Sequence, residues 1–314
     1  MPRRLLTGLL AVTATLASTN AHAGDTNYHD YPIGGRAVGL GGAFAAIAND
    51  SSGIFYNPAG LVDSTRSSLS VSTNLYGIEV AVGDNVFESV ADVLTDVERV
   101  FTQLNIIPSS AGFVSQFGDK DSQGRAQHAY GFGAFVPSFR SVSIQTSGQL
   151  SPGSDDGFAY RRSLLDMQFH TAASYSMRAD DTFRFGVSAV FNYRQVRDFE
   201  ESAIFGGDGQ TELSLPFFST VQTNLQAFVG SLLLTFGMKA NVGDRWFFGA
   251  ALTTPSVDVY DTASLRVLRT GATALDGSAS FEIDEPTDVK ASNPIAGNLR
   301  LGVVHRKRGE PMNR

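Results

Sequence analysis

The segment LDMQFHTAASYSM at residues 165–177 is followed, after one short turn, by the segment FRFGVSAVFNY at residues 183–193. In both segments the odd positions hold mainly apolar side chains, and the even positions hold mainly polar or small ones. A period of two predicts β-strands that have one apolar and one polar face. Both segments are about twice as long as the five or six residues of a typical strand.

Aromatic residues stand near the ends of the apolar face of this hairpin, as at Tyr175, Phe183 and Tyr193. Long strands with an apolar outside, a polar inside and aromatic ends are typical of transmembrane β-barrels. A soluble β-sandwich also alternates, but its strands are usually shorter. We therefore expect an all-β fold, an antiparallel transmembrane β-barrel, and keep a soluble exported β-rich ligand-binding protein as an alternative.

Alternation of the same kind predicts about eight strands in the whole chain. Tight turns at residues 178–181 and 242–244 and long polar segments elsewhere place short connections on one side and long ones on the other. A change of phase near Gly230 predicts a bulge, and residues 278–283 are a candidate protruding strand. The predicted strands cover residues 67–80, 108–117, 130–136, 165–177, 183–193, 221–238, 246–268 and 299–303.

One segment has a different period. From Asp84 to Leu104, apolar residues such as Val86, Val90 and Val97 recur at spacings of three and four. This spacing predicts an amphipathic helix, and we place it in the first long loop of the barrel.

The N-terminus has the features of an export signal. Two arginines precede the apolar residues 5–17, and AHA at residues 21–23 is a cleavage pattern, so we expect a signal peptide over residues 1–23 and a mature chain from Gly24. The apolar run is shorter than the roughly 20 residues of a membrane-spanning helix. The chain has no cysteine, which excludes a disulfide framework.

The remaining composition argues against several function classes. A net charge of -7 is unsuited to nucleic acid, which requires a basic face. The histidines have no metal-ligand spacing, and the acidic turn at residues 119–124 lacks the further ligands of a calcium loop. No nucleophile elbow or phosphate-binding loop is present in the sequence. We expect no enzyme activity, metal or cofactor.

Five charged or titratable side chains are expected to face the inside of the barrel. They either line a passage or pair with one another as ordinary lumen charges, and the second reading is favoured. These lumen candidates are Asp166, His170, Arg184, Arg194 and Arg300.

A Gly-rich segment precedes the first predicted strand. It contains GRAVGLGGA at residues 35–43, NDSS at residues 49–52 and YNPAGL at residues 56–61. These motifs, directly after an export signal, resemble the N-terminal segment of the FadL-type outer-membrane transporters. The close match covers roughly residues 34–61.

The resemblance implies a barrel of about fourteen strands that is plugged by this segment, which we call the hatch (residues 24–64), with the barrel at residues 65–314. Hydrophobic molecules such as long-chain fatty acids or aromatic hydrocarbons would be captured at the outer loops. They would pass the hatch and leave sideways through a kink in the third strand. The implied hatch and gating residues are Gly35, Arg36, Gly39, Gly41, Gly42, Asn57, Pro58 and Ala59, and the implied kink residues are Gly131, Gly133 and Pro137.

The resemblance also implies a Gram-negative outer-membrane location, contact with membrane lipid and insertion by the barrel assembly machinery. Two departures stand beside it. Eight strands are fewer than fourteen, and the sequence ends at RKRGEPMNR without a terminal aromatic strand. From these departures we expect a C-terminally truncated family member. A non-transporting barrel that acts as a scaffold or secretion partner is the alternative function.

Overall fold

The fold was analysed in a computed structural model of the chain. It describes residues 33–40, 43–64, 67–83, 99–121, 124–149, 156–207, 217–243, 245–273, 279–283, 287–292 and 295–305. The predicted signal peptide lies outside the described residues, as do hatch residues 24–32.

The described part of the hatch consists of three short helical segments joined by turns. They are α1 (Gly35–Gly39), α2 (Gly53–Tyr56) and a 3-10 helix (Pro58–Asp63). Pro58 occupies the first turn of the 3-10 helix, where its missing N–H costs no hydrogen bond. α2 ends at Tyr56 because Asn57, the residue before Pro58, has an extended backbone.

In the part of the chain that the structure describes, eleven strands form one sheet around the hatch, with neighbours antiparallel throughout the wall. Their bounds are β1 Ser68–Gly83, β2 Arg99–Lys120, β3 Ala126–Gln149, β4 Gly157–Arg178, β5 Phe183–Gly206, β6 Phe217–Val242, β7 Trp246–Thr253, β8 Val257–Thr273, β9 Ala279–Ile283, β10 Thr287–Asp288 and β11 Asn298–His305.

The wall itself has eight strand positions among the described residues, in the order β1-β2-β3-β4-β5-β6-β7-β11. β6 pairs with β7 along its residues 235–242 and with β8 along residues 217–232, so β7 and β8 are two halves of one strand position interrupted at Pro255. The all-β, antiparallel fold and the strand count of about eight are therefore confirmed. The protruding strand expected at residues 278–283 is also present, as β9.

The two faces of the wall differ as the alternation predicts. On β5, Phe183, Phe185 and Phe191 face outward and are each about 40% exposed, whereas Ser188 and Asn192 face inward and are fully buried. The hatch fills the inside near the tight turns, and its apolar side chains form one buried cluster with inward residues of β2 and β3 such as Val114 and Phe135. We call the two ends of the wall the tight-turn end and the loop end.

The expected helix in the first long loop is wrong where the structure describes it. Residues 99–104 belong to β2, where Arg99 to Leu104 pair with Gly83 to Ile78 of β1. Residues 84–98 lie outside the described part of the chain. Over residues 99–104, cross-strand pairing with β1 outweighs the helical spacing, because Val100 and Phe101 also suit a strand.

The strands are also longer at the loop end than the sequence predicted. β3 continues through Pro137 to Gln149, and β5 reaches Gly206. In these extensions both faces carry polar residues, so apolar alternation ends while the pairing continues.

The irregularity expected at Gly230 is present, but the unpaired residue is on the neighbouring strand. Gly230 pairs with Tyr260 and Ser231 with Asp258, which leaves Val259 without a partner, whereas β5 and β6 pair without interruption. The phase of β6 therefore does not change. Its apolar residues Leu225 and Val229 face inward, as do Ser231 and Leu233.

Among the helices in the described part of the chain, none is long and apolar enough to span a membrane.

Candidate functional site

Asn57 forms hydrogen bonds both within the hatch and between the hatch and the wall. Its Nδ2 donates to the carbonyl oxygen of Ala45 at 2.8 Å and to that of Met238 at 3.1 Å. Its Oδ1 accepts from the backbone N–H of Ala59 at 3.1 Å, which caps the 3-10 helix. The side chain is fully buried, so each of these hydrogen bonds replaces one to water that is lost.

Glycines on the inner face of the wall let the hatch backbone approach closely. A Cβ added at Gly237 would overlap with Asn57, and one at Gly249 would overlap with the backbone of Ala45. Gly186 lies directly opposite Gly237 in the sheet and meets Pro58 in the same way. Inward glycines on adjacent strands therefore shape a seat for the hatch, and any side chain there would push it out.

Wall serines add hydrogen bonds to hatch carbonyl groups. Ser176 Oγ donates to Ala59 O at 3.1 Å, and Ser188 Oγ donates to Ile54 O at 3.0 Å. Both serines face inward and are fully buried. Polar side chains on the inner face of the wall thus supply hydrogen-bond donors to backbone carbonyl groups of the hatch.

At the tight-turn end, Asp63 of the hatch meets three buried cations of the wall. Its carboxylate lies 2.9 Å from Arg178, 3.1 Å from Arg184 and 2.9 Å from Lys239. Burial acts to raise the pKa of Asp63, but Lys239, Arg184 and Arg178 together hold that pKa below its usual value. This cluster, which we call the Asp63 latch, ties the end of the hatch to β4, β5 and β6.

On the side of the hatch that faces the loop end, Arg300 of β11 binds the hatch backbone. Its Nη1 donates to Phe55 O at 2.8 Å, and its guanidinium lies 4.8 Å from the centre of the Phe55 ring. The hydroxyl of Tyr56 accepts from the backbone N–H of Ile33 at 2.9 Å, and burial raises the pKa of this hydroxyl. Through its hydrogen bond to Phe55, Arg300 holds the part of the hatch that forms the floor of a cavity.

This cavity lies between the hatch and the inner wall and contains about 560 Å³ of empty space, including its open mouth. Eight of its thirteen lining residues are apolar. Asn192 stands beside it, opposite His170 in the sheet; it is fully buried, and both polar atoms of its amide have no hydrogen-bond partner. The lining residues are Ile54, Phe55, Phe135, His170, Ala172, Val190, Leu233, Thr235, Thr253, Ile295, Ala296, Asn298 and Arg300.

Two wall strands part beside this cavity. β2 and β3 pair from the tight-turn end only as far as Ser110 and Phe135. Beyond that level β3 shifts register between Phe135 and Ser138, and among the described residues it continues paired with β4 alone. Phe135 itself is buried, lines the cavity and lies 5.7 Å from the Phe55 ring.

The proposed kink residues are close to this parting. Gly131 and Gly133 face the Ile54 side chain of the hatch, and Pro137 lies within the register shift. Their expected role in a lateral exit stays a prediction.

The lumen candidates all face inward but do not form one group. Arg194 binds Asp166 through two hydrogen bonds of 2.9 and 2.6 Å, Arg184 belongs to the Asp63 latch, and His170 and Arg300 line the cavity. Asp166 and Arg194 thus pair with each other, Arg184 pairs with a residue of the hatch instead, and a role of these side chains in lining a passage stays a prediction.

Of the expected hatch and gating residues, Gly41 and Gly42 lie outside the described residues. Gly35 and Gly39 form the ends of α1, where an added Cβ would meet no atom within 4 Å. Arg36 lies 3.4 Å from Asp50 and stacks over the Phe44 ring. Asn57, Pro58 and Ala59 make the close wall contacts described above.

Sequence reasoning missed Asp63, Arg178 and Lys239 of the latch. Asp63 lies 115 residues from Arg178, and no local pattern connects them. The inward glycines Gly186 and Gly237 could have been found, because each replaces a side chain at an inward position of an alternating strand.

Comparisons with known proteins give little further information. No family model matches the sequence, and no curated protein matches it. The fold is similar to the crystal structure of a Pseudomonas aeruginosa FadL homologue, with 12% sequence identity, 88% of this chain and 77% of that chain covered, and a TM-score of 0.48. A likeness of this size does not establish membership of a family.

Proposed function

We propose that the chain is an outer-membrane β-barrel protein that passes hydrophobic molecules across the membrane. The outward apolar band supports this location. On β5 it runs from Phe183 to Tyr193, about 33 Å along the strand, which at the usual tilt spans about 25 Å of membrane. Stacked aromatic pairs mark both limits, with Phe183 and Phe185 at one and Tyr193 and Phe228 at the other.

The observation on which the route rests is the position of the cavity. It is largely apolar, it is floored by the hatch, and it adjoins the level at which β2 and β3 part. A hydrophobic molecule leaving a water-filled pore would have to expose its apolar surface to water again, whereas a sideways exit into lipid avoids that cost. We therefore route the molecule through the cavity and out past Phe135.

The lining also limits the substrate class. Ile54, Val190 and Leu233 present aliphatic surface, and Phe55 and Phe135 present aromatic surface. Long-chain fatty acids and aromatic hydrocarbons both suit such a lining. The barrel assembly machinery is the expected partner for insertion.

Location is tested by separating the membranes of a Gram-negative cell that expresses the chain. We expect it in the outer-membrane fraction, with slower gel migration after boiling than before. Recovery only in the soluble periplasm would instead support the soluble ligand-binding alternative.

Transport is tested by uptake of a radiolabelled long-chain fatty acid and of radiolabelled toluene into cells that lack their own uptake proteins. We expect at least one to enter faster than in cells carrying an empty vector. A chain that reaches the outer membrane but accelerates neither would favour the scaffold alternative.

A further inference from the structure

Three arginines stand on the outer face of the wall beyond the apolar band. β4, β5 and β6 pair without register shifts, so their faces continue past the band, and directly opposite residues share a face. Arg197 follows Phe191 and Tyr193 on the outward side of β5. Arg161 is opposite outward Glu201, and Arg266 of β8 is opposite outward Asn224. All three arginines are exposed.

The three arginines lie at increasing distances from the edge of the apolar band, measured along the strands. Arg197 is four residues beyond Tyr193, or about 13 Å along the strand, and Arg266 and Arg161 are level with positions six and eight residues beyond it. At the usual tilt, this outward surface begins about 10 Å from the rim and continues for a further 10 Å or so.

The chemistry of this surface differs from that of the whole chain. The chain carries a net charge of -7, yet this outward surface holds three arginines and only two carboxylates, Glu201 and Asp288, the second directly opposite Ser264. Glu201 accepts from Gln222 at 2.8 Å, and none of the three arginines forms an ion pair within the described residues. Apart from the outward ring of Phe199, the side chains between them are mainly amides and hydroxyls, namely Gln195, Gln222, Asn224, Gln226 and Ser264.

Two of the arginines are oriented by a neighbouring uncharged side chain, which leaves their positive charge without a partner carboxylate in the described part of the chain. The Arg161 guanidinium lies 5.9 Å from the centre of the outward Phe199 ring. With the Gln195 amide oriented to suit its neighbours, its oxygen accepts from Arg197 at 2.7 Å. Both contacts orient a guanidinium and leave N–H donors for an anion.

We propose that this outer arginine surface binds the phosphorylated sugar headgroups of glycolipids in the surrounding membrane leaflet. Guanidinium groups bind phosphate, and the amides between them suit sugar hydroxyl groups. An ordinary phospholipid headgroup layer is only about 5 to 8 Å thick, so it would leave Arg161 and Arg266 in water. A tall, multi-sugar headgroup reaches all three. This inference rests on the proposed outer-membrane location.

The test uses the full chain inserted into phosphatidylcholine vesicles, with lipopolysaccharide, with dephosphorylated lipopolysaccharide, or with neither. The lipid that stays bound after extraction in mild detergent is measured by native mass spectrometry. The variants are the triple substitution R161Q/R197Q/R266Q and the control R245Q, which removes an exposed arginine at the tight-turn end.

We expect the chain and R245Q to retain lipopolysaccharide, and each arginine removed from the surface to lower its affinity by about fivefold. Dephosphorylated lipopolysaccharide should bind weakly, and free inorganic phosphate should not displace the glycolipid. Retention by the triple variant equal to that of R245Q, or equal binding of both glycolipids, would overturn the proposal. A chain that inserts into none of these vesicles would overturn the membrane location itself.

Discussion

The Asp63 latch can be broken by one substitution of nearly equal size, Asp63→Asn. This change removes the carboxylate and leaves Arg178, Arg184 and Lys239 facing one another, with their side chains only 3 to 6% exposed. Removing one partner of a buried ion pair costs about 3 to 5 kcal/mol. Asp63 is 19% exposed, so we take the lower limit, about 3 kcal/mol, which is more than a hundredfold in the population of undocked hatch.

The chain offers a direct assay because it contains no cysteine. Ser51→Cys places a single thiol of similar size in the hatch, at a side chain that is only 6% exposed and packs against Gly112. A maleimide reagent can reach this thiol only when the hatch leaves its seat. In purified protein, we expect D63N to raise the labelling rate about a hundredfold.

Asp181→Asn is the matched control for this experiment. It makes the same chemical change at the same end of the wall, but Asp181 is 80% exposed and its ion pair with Arg125 is a surface pair. Such pairs contribute about 0 to 1 kcal/mol. Equal labelling rates in D63N and D181N would refute the role assigned to the latch.

Three further predictions use the same thiol. Asn57→Ala removes three hydrogen bonds to the hatch and wall and should destabilise docking by about 2 to 4 kcal/mol; a labelling rate unchanged from the parent would contradict this. Gly249→Ala places a methyl group against Ala45 and should cost about 1 to 3 kcal/mol, whereas Gly39→Ala, with open space around it, should leave the rate unchanged or lower it. The pKa of Asp63 is depressed in the docked hatch, so the stability of the latch is complete above the ordinary carboxyl pKa and is lost as the pH falls through the lower, docked value. The labelling rate, corrected for the intrinsic reactivity of the thiol, should therefore be flat from pH 8 to about 5 and rise below about pH 4; a rise between pH 7 and 5 would show that another group controls docking.

The sequence was sufficient for the central wall strands because their two faces meet different surroundings. Odd positions from Phe183 to Phe191 are apolar and outward, and even positions such as Ser188 and Asn192 are inward and buried. Where both faces are polar, as around Arg161 and Glu201, period-two reasoning fails although the strands stay paired. This is why the loop-end extensions were missed.

The site was harder to predict because its contacts join distant parts of the chain. Asn57 could be singled out from its motif, but its contact with Met238 spans 181 residues. The cavity likewise combines α2, β3 to β7 and β11, and no local pattern gives its volume. The helix expected up to Leu104 failed for a related reason, because β1 provides a partner strand that local spacing does not reveal.

The passage of hydrophobic molecules through the cavity is tested most directly by a pair of adjacent substitutions. Ala172 lines the cavity and is 7% exposed, whereas Ala173 is on the outer face of the same strand. Ala172→Trp would place an indole ring inside the cavity, across the way between the hatch and the wall, and Ala173→Trp would add the same bulk on the lipid side. In cells with equal amounts of each variant in the outer membrane, we expect uptake of the radiolabelled substrate to be lost in A172W and retained in A173W. Equal uptake by the two variants would contradict passage through this cavity.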